Sequence, residues 1–235
     1  SGPYRVKNFK AGRTIEFERV DDYWGKNLSV NKGRFNFQKV IIEYFRDATV
    51  ALEAFKSGDY DFRQENQAKR WANAYNFTAI ENGHVKKESV KHEIPTGMQG
   101  FFINTRREIF KDRVVRKALN YAFDFEWTNK ILFFDQYKRT ASFFSNSDLA
   151  SSDLPSKEEL ELLDPFKNQL PNEIFNTIYE NPINDGSGNV RKNLRIADKL
   201  LYDAGWIIKD GKRINKETGI PLKFTILLVS PEFER

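Results

Sequence analysis

The sequence reads as an α/β protein, with mixed sheets and flanking helices, on three observations. Segments that alternate apolar and polar side chains, or concentrate β-branched and aromatic ones, take turns along the chain with segments whose apolar residues recur at helical spacing. Gly, Pro, Asn and Asp mark the joints between them. A chain of 235 residues, 40% hydrophobic and 14% aromatic, also has the apolar material for one large domain or two small ones.

The first element is a hairpin. Tyr4–Phe9 alternates, Ala11-Gly12-Arg13 turns, and Ile15–Val20 alternates again, so one face of this pair is expected to be buried. A loop through Asp21–Lys26 and Gly33 leads to a third strand over Phe37–Phe45, dense in β-branched and aromatic residues. Asp47 is placed to cap a helix over Ala48–Lys56, which Ser57-Gly58 ends. A short strand at Asp59–Phe62, a helix around Ala68–Tyr75 and a strand near Val85–Val90 follow, before Pro95-Thr96-Gly97 breaks the chain. Met98–Asn104 then reads as a strand. Asp112 is placed to cap a long helix running to about Ile131, with Val114, Ala118 and Ala122 beside Val115, Leu119 and Phe123 as its apolar face.

Residues 135–190 are rich in Ser, Asn, Asp and Pro and read as surface or cleft-lining loops around one helical stretch, Ser156–Leu163. A helix over Asn193–Ala204 ends at Gly205. The last pair is hairpin-like, Trp206–Ile214 with Leu222–Val229, and Asp210-Gly211 and Thr218-Gly219 are its turn signals. No internal repeat is visible.

The residue inventory excludes several kinds of chemistry. Without Cys there are no disulfides, thiolate metal sites or cysteine nucleophiles. His84 and His92, with Glu88 between them, match no metal or base spacing, and no cofactor is expected. Asp185-Gly186-Ser187-Gly188 lacks the strand, the Lys-Ser/Thr and the third Gly of a phosphate loop, so it reads as a flexible turn. Asp59 with Asp61, and Glu158 with Glu159 and Glu161, resemble paired carboxylates but sit where solvated charge is the simpler reading. The net charge of +5 comes from 38 basic and 33 acidic residues that are well mixed along the chain, which argues against a nucleic-acid stripe. The longest apolar runs, such as Ile131–Phe134, are far short of the roughly 20 residues of a membrane span, so no direct membrane insertion is expected. One group invites a ligand: Phe133, Phe134 and Tyr137, then Phe143 and Phe144, flank Lys138-Arg139, either lining a cleft or forming a satellite core.

The strings GPYRV, FERVDDYWG, EYFRDATVALEAFKSGDYDF, GFFINT and FKDRVVRKALNYAFD, in that order and spacing, resemble the family 5 extracellular solute-binding proteins that deliver oligopeptides and related solutes to ABC importers. The helix string with Asp112, Val115, Arg116, Ala118, Leu119, Tyr121, Ala122 and Asp124 is its most specific part. QGFFINTRREIFKDRVVRKALNYAFDFEW and the tail LLVSPEFER look most like a branch linked with peptide and microcin uptake. The resemblance implies a periplasmic binding protein type II-like fold, here a partial bilobed structure. Residues 1–96 would be the later part of lobe one and 97–235 the first half of lobe two. It also implies a non-enzymatic, periplasmic receptor with a peptide or peptide-like solute between its lobes and a membrane permease as partner.

An opening at SGPYRV without Met, and a close just after FTILLV, fit a piece of a larger protein whose exposed terminal strand favours self-association and whose ligand binding is weak. The expected ligand-binding residues are Gln99, Gly100, Phe101, Phe102 and Asn104, on a crossing strand beside the cleft, with Tyr137 and with Arg139 as the contact for a ligand charge. Two readings from other classes stand beside this one. One is an RNA-binding module using basic and aromatic surface residues. The other is a hydrolase built on Asp59 and Asp61.

Overall fold

The structure, a computed structural model, describes residues 2–228, and these divide into two compact units, one up to Lys87 and one from Glu88. Each is described by itself.

In the first unit the alternating pattern becomes a three-stranded antiparallel sheet in the order β1 (Tyr4–Lys10), β2 (Thr14–Arg19) and β3 (Lys39–Glu43). Gly12, at φ +70°, makes the β1–β2 turn. Register places Val6, Phe17 and Val40 in one row and Phe9, Ile15 and Ile42 in another, so one face is apolar. The other face carries Arg5 against Glu18 at 2.7 Å and Lys39 against Glu16 at 3.8 Å. The register shift between Val6 and Asn8 gives β1 an extra residue, Lys7, which reaches both Glu16 (3.8 Å) and Glu18 (3.5 Å).

The expected burial of one face is not what the structure shows. Val6 is 56% exposed and Phe9 66%, because burying a sheet face takes a second layer and no residue of these strands reaches the interior of the unit.

Helix α1 (Ala48–Lys56) starts where Asp47 accepts from the backbone N–H of Thr49 and Val50, and stops at Gly58, φ +83°. Two short helices, α2 (Ala68–Asn73) and α3 (Thr78–Glu81), complete the unit, the second unexpected from its sequence. Leu52, Ala54 and Ala68 are buried here. Beside them lies a charged network. Arg63 donates to the Tyr60 hydroxyl (2.9 Å), the Tyr75 hydroxyl (3.0 Å) and Glu65 (3.2 Å), and Tyr75 donates to Glu65 at 2.8 Å. The second Glu65 oxygen accepts from the N–H groups of Asn66 and Gln67. Burial and the Glu65 hydrogen bond push the Tyr75 hydroxyl up to about 12; burial opposes ionisation of Glu65, but its hydrogen bonds win and hold the carboxyl below the usual range.

The core of the second unit is apolar and helical. Helices α4 (Glu108–Lys111) and α5 (Arg113–Ala122) pack beside α9 (Arg191–Asp203) and the hairpin of β4 (Trp206–Lys209) and β5 (Lys212–Asn215). Phe110, Val115 and Trp206 form its centre, with Ile103, Leu119, Leu201 and Leu222 against them. Val115 is wholly buried, and the small Ala118 and Ala197 are nearly so. Asp112 caps α5 through Val114 N–H at 2.7 Å. Asp210 (φ +49°) and Gly211 (φ +73°) make the two-residue hairpin turn that an Asp-Gly pair favours.

The long helix expected to run to Ile131 is two helices. Phe123 is extended, and Asp124 accepts from Trp127 N–H (3.2 Å), capping a new helix, α6 (Phe125–Leu132). The loop-rich stretch holds α7 (Lys157–Leu163), which Ser156 and Glu159 open with a reciprocal capping box, a 3-10 turn over Asp164–Gln169, and α8 (Glu173–Asn176).

Three expected strands, Asp59–Phe62, Val85–Val90 and Met98–Asn104, form no ladder, since no strand lies alongside to exchange hydrogen bonds with them among the described residues. Leu222–Leu228 forms no ladder either: the chain meets β5 at an isolated bridge of Pro221 to Ile214, where Leu222 N–H donates to the Arg213 carbonyl (2.8 Å), and Val229 lies outside the described residues.

Candidate functional site

The break between α5 and α6 builds the surface where the sequence placed a ligand. Because Phe123 leaves the helix, its ring meets Phe101 edge-on at 6.3 Å and lies 5.7 Å from the Arg139 guanidinium, which is also 5.8 Å from the Phe125 ring. Arg139 is half-buried and both terminal nitrogens of its guanidinium are engaged. One nitrogen bonds Asn120 Oδ1 at 2.7 Å and the other the carbonyl of Pro182. Burial pulls its pKa down while the charges of Glu126 and Tyr179 pull it back; the guanidinium stays a cation.

Around it runs a chain of polar contacts that the sequence did not suggest. Asn120 donates to the Tyr179 hydroxyl (3.3 Å), Tyr179 to Asn181 (3.0 Å), and Asn181 to the carbonyl of Thr140 (3.0 Å). Glu126 accepts from Asn184 N–H at 3.0 Å. Apart from Tyr179 and Asn181, the partners are some 40 to 60 positions apart and leave no local pattern. Asn120 lies inside the helix string FKDRVVRKALNYAFD, whose pattern pointed only to the helix.

The loop after α6 is strained. Phe134 and Asp135 both have φ near +55° (55° and 56°), where bulky side chains are disfavoured. Asn129 holds this loop, its amide donating to the Tyr137 carbonyl (2.8 Å) while its oxygen accepts from Tyr137 N–H (3.1 Å). Tyr137 therefore meets the Phe133 ring edge-on at 4.9 Å, and these contacts hold it to α6 and its loop. Phe143 and Phe144 are exposed, so these two form no satellite core.

The other expected ligand residues divide in the same way. Gln99, Gly100 and Phe102 are exposed on a segment that is neither helix nor strand, Phe102 at 77%. A Cβ on Gly97 would meet nothing within 4 Å, and one on Gly100 only the tip of Met98 at 3.7 Å, so neither glycine is needed for packing within the unit. Asn104 is a turn residue, its side chain accepting from Arg106 N–H (3.1 Å) ahead of α4. The segment is pinned upstream, where Thr96 N–H donates to the Ser145 carbonyl (3.2 Å) and Asn146 to that of Ile94 (2.7 Å).

The glycine loop at 185–188 is packed rather than merely flexible. Asp185 accepts from Ser187 N–H, and Gly188, at φ +83°, lies so close to Trp127 that a Cβ would come within 3.1 Å of the indole. Asp59 and Asp61 are exposed, with Asp59 accepting from the Ser57 hydroxyl at 3.3 Å. No helix of the described residues is long and apolar enough to cross a membrane.

Residues 1–233 match the family model described as bacterial extracellular solute-binding proteins, family 5 middle. The chain is 46% identical over 228 residues to "Uncharacterized protein YejA" of Escherichia coli, covering 97% of this chain and 38% of that protein. It is 44% identical over 237 residues to "Probable peptide-binding protein YejA" of Agrobacterium fabrum, covering 100% and 39%. Thus it spans under two fifths of the length of these relatives. Among solved structures, the oligopeptide-binding protein AppA of Bacillus subtilis, in complex with a nonapeptide, superposes with a TM-score of 0.52 at 21% identity, over 94% of this chain and 35% of that one. That likeness carries the fold, a periplasmic binding protein architecture of which this chain forms a part.

Proposed function

The chain belongs to family 5 of the bacterial extracellular solute-binding proteins, and from that premise we propose that it is part of a receptor that captures a peptide or peptide-like solute and hands it to the membrane permease of an ABC importer. One observation carries the choice of solute surface. Residues 97–103 belong to no helix or strand, are exposed except at Met98 and Ile103, and join no ladder among the described residues, so their main-chain N–H and C=O groups are open to a ligand backbone in the manner of an added strand. Phe101 and Phe102 beside them offer apolar area for side chains of varied shape.

In this reading Gln99, Gly100, Phe101, Phe102 and Asn104 border the ligand, and Tyr137 contributes ring surface. Arg139, whose two terminal nitrogens already bond Pro182 and Asn120 and hold it in place, is the contact for a ligand charge. The lobes divide near residues 96–97, the protein works in the periplasm, and it carries out no reaction, since capture and release need no nucleophile or base. The name of the Agrobacterium relative and the peptide in the Bacillus structure support a peptide.

Calorimetric titration of the full-length protein with short peptides tests this. Phe102→Ala is expected to weaken binding about tenfold, on the order of 1.4 kcal/mol, with the melting temperature unchanged. Absence of peptide binding by the intact protein would overturn the reading.

A further inference from the structure

The first unit holds a cavity of about 260 Å3 that solute capture at residues 97–104 leaves unexplained. Its walls include Arg19, Asp21, Tyr23, Lys26, Arg34 and Phe35. Three cations thus meet one carboxylate. Arg19 is occupied, donating to the carbonyls of Phe35 (3.4 Å) and Asn36 (3.2 Å) and lying 3.8 Å from Asp21. Among the described residues, Lys26 and Arg34 have no carboxylate within ion-pair distance.

The rest of the wall is aromatic and fixed in advance. Phe35 has φ +58°, a conformation a bulky residue holds only when its surroundings enforce it. Here Tyr4 and Tyr23 contact its ring edge-on at 6.2 and 6.1 Å, and the Arg34 guanidinium lies 5.2 Å from the ring centre. Asn31 donates to the Gly25 carbonyl (2.9 Å), Asn36 to that of Gly33 (2.9 Å), and Tyr4 to that of Phe37 (2.7 Å), so the loop needs little rearrangement to receive a ligand. Tyr23 folds back over buried Gly25 so tightly that a Cβ there would sit 2.6 Å from its hydroxyl oxygen.

We propose that this cavity binds a small organic dianion, a dicarboxylate or a phosphate monoester. Its charges face Lys26 and Arg34, and its carbon skeleton lies along Phe35 and Tyr23. A cavity with two unpaired cations over preset aromatic walls recognises charge and shape together, through charge-assisted hydrogen bonds in a partly enclosed space. Asp21 beside Arg19 repels an anion from that side and so sets its orientation.

The test is calorimetric titration of the whole chain with succinate and, separately, with glycerol 3-phosphate. Saturable binding that weakens with salt is expected, reduced at least about tenfold in Lys26→Ala and in Arg34→Ala and strengthened in Asp21→Asn. Arg34→Gln, which keeps a planar group over Phe35, guards against loss of fold and should lose affinity at an unchanged melting temperature. The tighter of the two probes identifies the head group. No saturable heat with either probe overturns the proposal. So does binding that Lys26→Ala and Arg34→Gln leave intact, or that Lys32→Ala, outside the cavity lining, weakens equally.

Discussion

The two units are anchored by opposite chemistry. In the first, Arg63, Glu65, Tyr60 and Tyr75 are drawn together by charge and hydrogen bonds, with the Glu65 side chain 4% exposed. In the second, Phe110, Val115 and Trp206 exclude water by shape alone. An apolar cluster degrades gradually as atoms are removed. A buried ion pair fails abruptly, because the partner left behind is an uncompensated charge. Acid, salt and substitution should therefore separate the units.

The largest effects come from the two centres. Glu65→Ala is expected to destabilise the first unit by about 3–5 kcal/mol, leaving Arg63 unpaired among rings, and Trp206→Ala to cost the second about 3–5 kcal/mol. Urea unfolding followed by unit-specific probes checks both, and equal loss in both units from either substitution would deny that the anchors are separate. The pH response distinguishes them further. Because the folded pKa of Glu65 is lowered, its contribution is complete above its unfolded value of roughly 4.3 and disappears as pH falls through the lower folded value. The first unit should loosen in acid below about pH 4, and Glu65→Gln should flatten that dependence. Hydrogen exchange at Arg63–Tyr75 across a pH series reads it directly.

A smaller effect sharpens the comparison within the second unit. Asp112→Ala removes the cap of α5 and is expected to cost about 1 kcal/mol, well below the Trp206 substitution, by the same urea series. Smallest is Phe102→Ser. Its ring is already in water, so stability should stay within about 0.5 kcal/mol of the parent, in contrast to its expected effect on peptide affinity.

The same contrast explains what could be read from the sequence. The apolar anchor is periodic: Val115, Ala118 and Leu119 repeat at helical spacing, Asp112 announces their helix, and Asp-Gly announces the hairpin that brings Trp206. The charged anchor has no period. Arg63, Glu65 and Tyr75 meet through a loop path that no spacing rule encodes, and the contacts of Arg139 with Asn120 and Pro182 cross gaps of 19 and 43 residues. Strand pattern alone also proved insufficient. Lys39–Glu43 and Met98–Asn104 both read as strands, yet only the first has a neighbour in register, and a strand is a property of a pair. The end of α5 was missed for a related reason, because Phe123 continues the apolar face in sequence and departs from it in backbone. The candidate ligand segment, expected as a strand, lies beside the Phe123 ring but joins no ladder among the described residues, and that isolation was not visible in its residues.

The stretch from Lys91 to Gly100 is exposed along nearly all of its length and belongs to no helix or strand, held chiefly where Thr96 and Ile94 meet residues 145–146. Such a stretch is where a protease finds backbone it can draw into its own active site without first unfolding anything. Trypsin should therefore nick the chain earliest after Lys91, four residues beyond the division between the units. The two products would each retain their own anchor. If they persist, the linkage between them is a peptide tether in mechanical terms, and the units can be studied, labelled and recombined as separate pieces.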